Sequence, residues 1–209
     1  MFDFVNPVML AAFIPTFIFV SLTPGLCMTL SLTLGLTIGF KRTLWMMIGE
    51  LVGVGIITAL AGAGSAVIMV KHPEIFYLIK YCGGTYLAYL GINLCLSRGK
   101  MAINLTQQQQ FPSHNELISQ GFITAISNPK GWAFMMSLLP PFIDTSKNLG
   151  VQVTVLVSII LVIEFACLNL YCLSGNAMRH FLQKSSNVRL LNRIAGTLML
   201  AVAIWLAFF

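Results

Sequence analysis

Long apolar runs separated by short charged turns dominate the chain. No charged residue stands between Asp3 and Lys41, and Thr23-Pro24-Gly25 lies deep inside that run. A helix that crosses a bilayer needs about 20 apolar residues. The pattern therefore predicts a first span over 7–35, a basic turn at Lys41-Arg42, and a second span over 43–70. Lys71-His72-Pro73-Glu74 reads as a turn, and a third span follows over 75–97. Residues 98–116, with Gln107-Gln108-Gln109-Gln110 and Pro112, form one polar linker with no regular structure predicted. A fourth span covers 117–143, is interrupted at Asn128-Pro129-Lys130-Gly131 and ends in Leu139-Pro140-Pro141-Phe142-Ile143-Asp144. A fifth covers 149–178, a basic connector 179–193, and a sixth, slightly short span 194–209.

Proline removes a backbone donor and clashes with the preceding turn. In a bilayer, backbone freed in this way persists only where protein or a watery cavity covers it. Spans one and four are therefore predicted to be broken near mid-bilayer, as the walls of a site for a small polar solute. Three spans stand on each side of the polar linker, and an odd number per half gives the halves opposite orientations. Features repeat between them: a Pro-Gly break followed by Glu50, then an Asn-Pro break followed by Glu164. The expected fold is an all-α polytopic membrane protein, a single membrane domain over 1–209. It would be a six-helix, 3+3 inverted repeat, with one half at 1–97, a cytoplasmic linker at 98–116 and the second half at 117–209.

Composition strengthens this picture. The 209 residues are 57% hydrophobic and 9% charged, against about 25% charged in soluble domains; mean hydropathy is +0.87. The net charge of +6 would suggest nucleic acid in a soluble protein, but its distribution says otherwise. Lys41, Arg42, Arg98, Lys100, Arg179, Lys184, Arg189 and Arg193 fall in odd-numbered loops, and only Lys71 and Lys147 in even ones. The positive-inside rule puts the odd loops in the cytoplasm and both termini outside, and no nucleic-acid partner is expected. Met1-Phe2-Asp3 offers no basic start for a cleaved signal peptide. Cys27, Cys82, Cys95, Cys167 and Cys172 form no CxxC pair and read as buried free thiols. His72, His114 and His180 lie in loops without ligand spacing, so no metal or cofactor is expected.

The candidate chemistry is ionic. A carboxylate at bilayer depth costs several kcal/mol unless paired or protonated, which makes Glu50 and Glu164 candidate proton-coupling residues. Lys130, beside the second break, is a candidate partner for a glutamate or for a substrate carboxylate, whereas Lys80 is expected to snorkel outward. Amides at the start of a half-helix attract anions, and carbonyls before a break attract cations. Pro24, Gly25 and Cys27 at one break, with Asn128, Pro129 and Lys130 at the other, are thus the candidate substrate-binding residues. Tyr171 shares a helical face with Glu164 and is a candidate hydrogen-bond partner for it. Gly35/Gly39 and Gly49/Gly53 have the spacing of close helix contacts. Trp45, Trp132 and Trp205 read as packing or interfacial anchors.

At these residues the chain resembles the LysE/RhtB amino-acid exporter family along nearly its whole length. The likeness rests on Thr23-Pro24-Gly25, Gly49-Glu50, the run Gly83-Gly84-Thr85-Tyr86-Leu87-Ala88-Tyr89-Leu90-Gly91, Asn128-Pro129-Lys130 and Pro140-Pro141-Phe142. It implies a non-enzymatic secondary exporter of amino acids or related zwitterionic metabolites in the bacterial cytoplasmic membrane. Protons and lipid are the implied partners, and a homodimer is a candidate assembly. The family's usual first motif is Pro-Gly-Pro followed by Asn or Asp, whereas Leu26 and Cys27 stand at the last two places here. Two other readings compete: a thiol-redox relay through Cys27, and a structural or sensory membrane subunit.

Overall fold

The computed structural model describes residues 7–97, 112–144 and 147–208, and all regular structure in them is helical. The helices are α1 (Pro7–Leu22), α2 (Leu26–Thr37), α3 (Phe40–Lys71), α4 (Pro73–Leu96), α5 (His114–Ile126), α6 (Pro129–Leu138), α7 (Leu149–Gln183) and α8 (Ser185–Phe208), with a 3-10 turn at Pro140–Phe142. Among the described residues, Phe40–Gly64 and Leu149–Gly175 are long and apolar enough to cross a membrane. The bent pair Phe13–Leu22 and Leu26–Thr37 makes a third candidate.

Local sequence explains where the helices start and stop. A residue that precedes proline is pushed out of the helical region. Thr23 and Asn128 each precede one, and the chain breaks at both places. Pro129 then opens α6, where its missing donor costs nothing, and the Asn128 side chain caps it by accepting from the Lys130 amide at 3.2 Å. Asn148 caps α7 through the Val151 amide in the same way. At α5, Ser113 and Glu116 form a reciprocal box: the Ser113 amide donates to Glu116 Oε2 and the Glu116 amide to Ser113 Oγ. Residues 114–116 are therefore helical, a correction to the linker end at 116. The rest of the expected linker, through 111, lies outside the described residues. His114 is likewise no loop residue, and it stacks on Trp45 at 4.6 Å.

The connector expected over 179–193 is a second correction. Helix α7 runs on to Gln183 and α8 begins at Ser185, so Lys184 alone separates them. Before that, α7 turns at Gly175, whose φ of 41° and ψ of −121° suit a residue without a side chain.

The breaks divide the interior into two apolar layers. Phe13, Phe17, Ile57, Phe134, Leu139, Leu156 and Ile160 pack on one side. Met28, Leu32, Met46, Met47, Leu117, Leu168 and Tyr171 pack on the other. Helices α1, α3 and α7 each pass from one neighbourhood to the other, and Ser21, Glu50 and Glu164 fall between them in the chain. The closest helix contact joins α3 to α5. A Cβ placed at Gly49 would overlap the Ile118 carbonyl, and one at Gly121 the Met46 carbonyl. The predicted close contact at Gly49/Gly53 therefore holds, and Gly35 likewise packs on Cys172. Gly39 instead supplies a turn, with φ 82° and open space around it.

Two stability outcomes follow from this packing. Gly121→Ala forces α3 and α5 apart and lowers the melting temperature in detergent. Gly64→Ala, with nothing within 4 Å of the added methyl, leaves it unchanged or raises it. Ser113→Ala costs about 1 kcal/mol of helix stability. Bonds to Ser113 hold Glu116 below the usual carboxylate range. Its contribution is therefore present above that range and is lost as pH falls through the lowered value; melts between neutral and acid pH read both effects.

Candidate functional site

The end of α1 is tied down bond by bond. Its last turn leaves carbonyls without intrahelical donors, and side chains from three sources meet them. Thr23 Oγ1 donates to the Phe19 carbonyl at 2.9 Å. Tyr171 Oη, from α7, donates to the Leu22 carbonyl at 2.7 Å. Lys130 Nζ, from α6, donates to the Val20 carbonyl at 2.8 Å and the Thr23 carbonyl at 3.3 Å. An ammonium at a helix C-terminus also meets the negative end of the helix dipole.

This differs from expectation in two respects. Tyr171 does not bond Glu164; it serves the helix break. Among the described residues Lys130 makes no ion pair with a glutamate; the carbonyls expected to draw a cation from outside already hold this one. Gly25 leaves room for it, since a Cβ there would lie 3.8 Å from Lys130 Nζ.

The start of α2 is treated differently. Gly25 takes the cap position in an extended conformation and offers no side-chain bond to the first turn. Glu164 is held by Ser21 Oγ, which donates to Oε2 at 2.6 Å. Glu50 is completely buried, receives no hydrogen bond from a donor on either oxygen, and lies within hydrogen-bond reach of Cys27 and Glu164. Cys27 is buried beside it and accepts a weak bond from Asn128 Nδ2 at 3.8 Å.

These groups surround one cavity of about 60 Å³, room for about four or five waters and so for one small solute rather than a peptide. Gly25, Cys27, Glu50, Asn128, Lys130 and Glu164 line it. Pro24 and Pro129 do not; they shape the breaks from behind. The rest of the wall is largely apolar, with Phe17, Met28, Val54, Ile57, Phe134 and Met135. Ser21 and Thr23 also line it and are not among the candidate binding residues read from the sequence. Only their place within a turn of Pro24 marked them, and nothing in the chain pointed Ser21 to a partner 143 positions away. The five cysteines are free, and no group of metal-binding side chains occurs among the described residues.

Lys130→Met strips the buried Thr23 carbonyl of its donor and leaves the Val20 carbonyl with the Thr23 amide alone. Unsatisfied buried polar groups cost about 1–3 kcal/mol each, so the melting temperature in detergent falls. Tyr171→Phe, which removes one bond, has the smaller effect.

The family model for LysE type translocator matches residues 18–208. The chain is similar to the leucine efflux protein of Salmonella typhimurium strain LT2, 28% identical over 196 residues that cover 91% of the chain and 90% of the relative. It is 25% identical to the homoserine/homoserine lactone efflux protein of the same organism, with 94% of each chain covered. An uncharacterized membrane protein of Vibrio cholerae is 25% identical, covering 94% of the chain and 95% of the relative. No solved structure matches the chain. A match over nearly all of these residues, with the helix break and the glutamates inside it, places the chain in the LysE type translocator family.

Proposed function

We propose that this protein is a secondary exporter of amino acids or closely related small metabolites, working by proton antiport across a bacterial cytoplasmic membrane. One observation carries the reading. An amino-acid-sized cavity lies where a broken helix meets a second break, and it holds one lysine and two glutamates amid apolar helices. The efflux proteins named above support the substrate class. A zwitterion fits the cavity with its carboxylate toward the uncapped first turn of α2 and the Lys130 side of the site. Its ammonium then faces Glu50 or Glu164. External protons neutralise the glutamates as substrate leaves outward.

The same reading takes α1 with α2 and α5 with α6 as two broken spans. Together with α3, α4, α7 and α8 they make six spans in two inverted halves, 1–97 and 117–209. Two features support this. Helix α2 packs on α7 and α5 packs on α3, so each half lends a broken helix to the other's second span. The charge pattern of the sequence points the same way: under the positive-inside rule the basic loops would face the cytoplasm and both termini the outside.

Expression in cells stripped of their own amino-acid exporters, fed dipeptides of leucine or homoserine, tests the reading. The intracellular pool of at least one amino acid is expected to fall several-fold, with the same amino acid gained by the medium. Pools unchanged across an amino-acid panel would overturn it. Cys27→Ser is expected to export as well as wild type.

A further inference from the structure

The two carboxyl groups in the cavity are not equivalent. Glu164 has an oxygen on Ser21 at 2.6 Å. Glu50 has 0% exposure and receives no hydrogen bond from a donor on either oxygen, and its carboxyl lies within hydrogen-bond reach of Cys27 and of Glu164. Each packed element contributes a specific neighbour. Helix α2 brings Cys27, and α7 brings Glu164. Helix α6 brings Lys130, whose ammonium is committed to the Val20 and Thr23 carbonyls. Helix α5 brings Ala125, which does not titrate, and α1 brings Ser21 and Thr23, whose hydroxyls are bonded elsewhere.

A buried carboxyl that receives no hydrogen bond from a donor and faces a second carboxyl is stable with a proton on it or with a cation beside it. The chain's own cation in the cavity is engaged, so the cation must come from outside. The backbone under Glu50 is also closely packed. Gly49 lies against the Ile118 backbone, and a Cβ at Gly121 would come within 2.9 Å of the Glu50 amide.

We propose that Glu50 is the exchange group of the transport cycle, the carboxylate that the substrate's ammonium and the incoming proton occupy in turn, with Glu164 a positioning residue that holds the helix break through Ser21. This rests on the export reading above. With the cavity open to the cytoplasm, the ammonium settles on Glu50 as its proton leaves to the cytoplasm. With the cavity open outward, an external proton adds to the carboxylate and the ammonium departs with the substrate. One proton enters for each zwitterion exported, and the O–H bond of Glu50 is the only bond made and broken.

The test uses purified protein in proteoliposomes loaded with labelled leucine or homoserine, with and without an imposed pH gradient. The ratio of gradient-driven to gradient-free efflux is the readout. Glu50→Gln is expected to bring that ratio to about one, and Glu50→Asp to keep it above one at a higher half-saturating substrate concentration. Glu164→Gln and Ser21→Ala are expected to lower the rate but keep the wild-type ratio. Carbodiimide labelling read by mass spectrometry adds an arm that needs no transport, because the reagent modifies protonated buried carboxyls. The adduct is expected on Glu50 and to be suppressed by leucine or homoserine. A wild-type ratio in Glu50→Gln, or an adduct on Glu164 and none on Glu50, would overturn the assignment. Wild-type vesicles that move neither amino acid would count against the export reading instead, and the labelling arm would still decide the role of Glu50.

Discussion

Backbone groups released by a broken helix must find partners, and in apolar surroundings only protein can supply them. At the end of α1 that demand is met by a hydroxyl from the next turn, a phenol from α7 and an ammonium from α6. These bonds draw α6 and α7 against the break and bring Glu164 and Lys130 to one place. The cavity is a by-product of the same demand. Where the chain cannot continue as a helix, side chains crowd in to satisfy it, and the space left between them is polar on one wall and apolar on the others.

Glycine supplies the second half of the arrangement. The contact of α3 with α5 is close enough that backbone touches backbone at Gly49 and Gly121. Contacts of that kind tolerate no side chain and allow little adjustment. Glu50, next to Gly49, therefore sits on closely packed backbone, while its carboxyl group receives no hydrogen bond from a donor. Rigidity in the backbone and an unmet demand in the side chain are the combination expected of a residue that waits for something to bind.

Much of this was legible in the chain. Proline after threonine and after asparagine disfavours the helical conformation locally, and the glycine at 25 and the capping asparagine at 128 complete each break, whereas Pro15, without such company, stays inside α1. The helix bounds near Val70 and Leu149 followed from turns with equally local causes. What escaped were facts set by distant parts of the chain. The bond of Tyr171 to the Leu22 carbonyl spans 149 positions, and no periodicity encodes it. The partner of Lys130 was read as a carboxylate because charge pairing is the default; carbonyls freed 110 positions away won instead. The stretch 179–193 was read as a connector because it is basic, yet charge does not oppose helix formation, and Lys184 is its only interruption. Gln152 gave no signal at all, though its buried side chain clasps the Asp144 backbone with two bonds of 2.8 Å.

Gly25 and Lys130 share one small volume, although 105 positions separate them. Alanine at 25 would just touch the ammonium, and any larger side chain there would evict it from the Val20 and Thr23 carbonyls. The size of residue 25 and the seating of the lysine are therefore one physical variable: what fills the first takes space from the second.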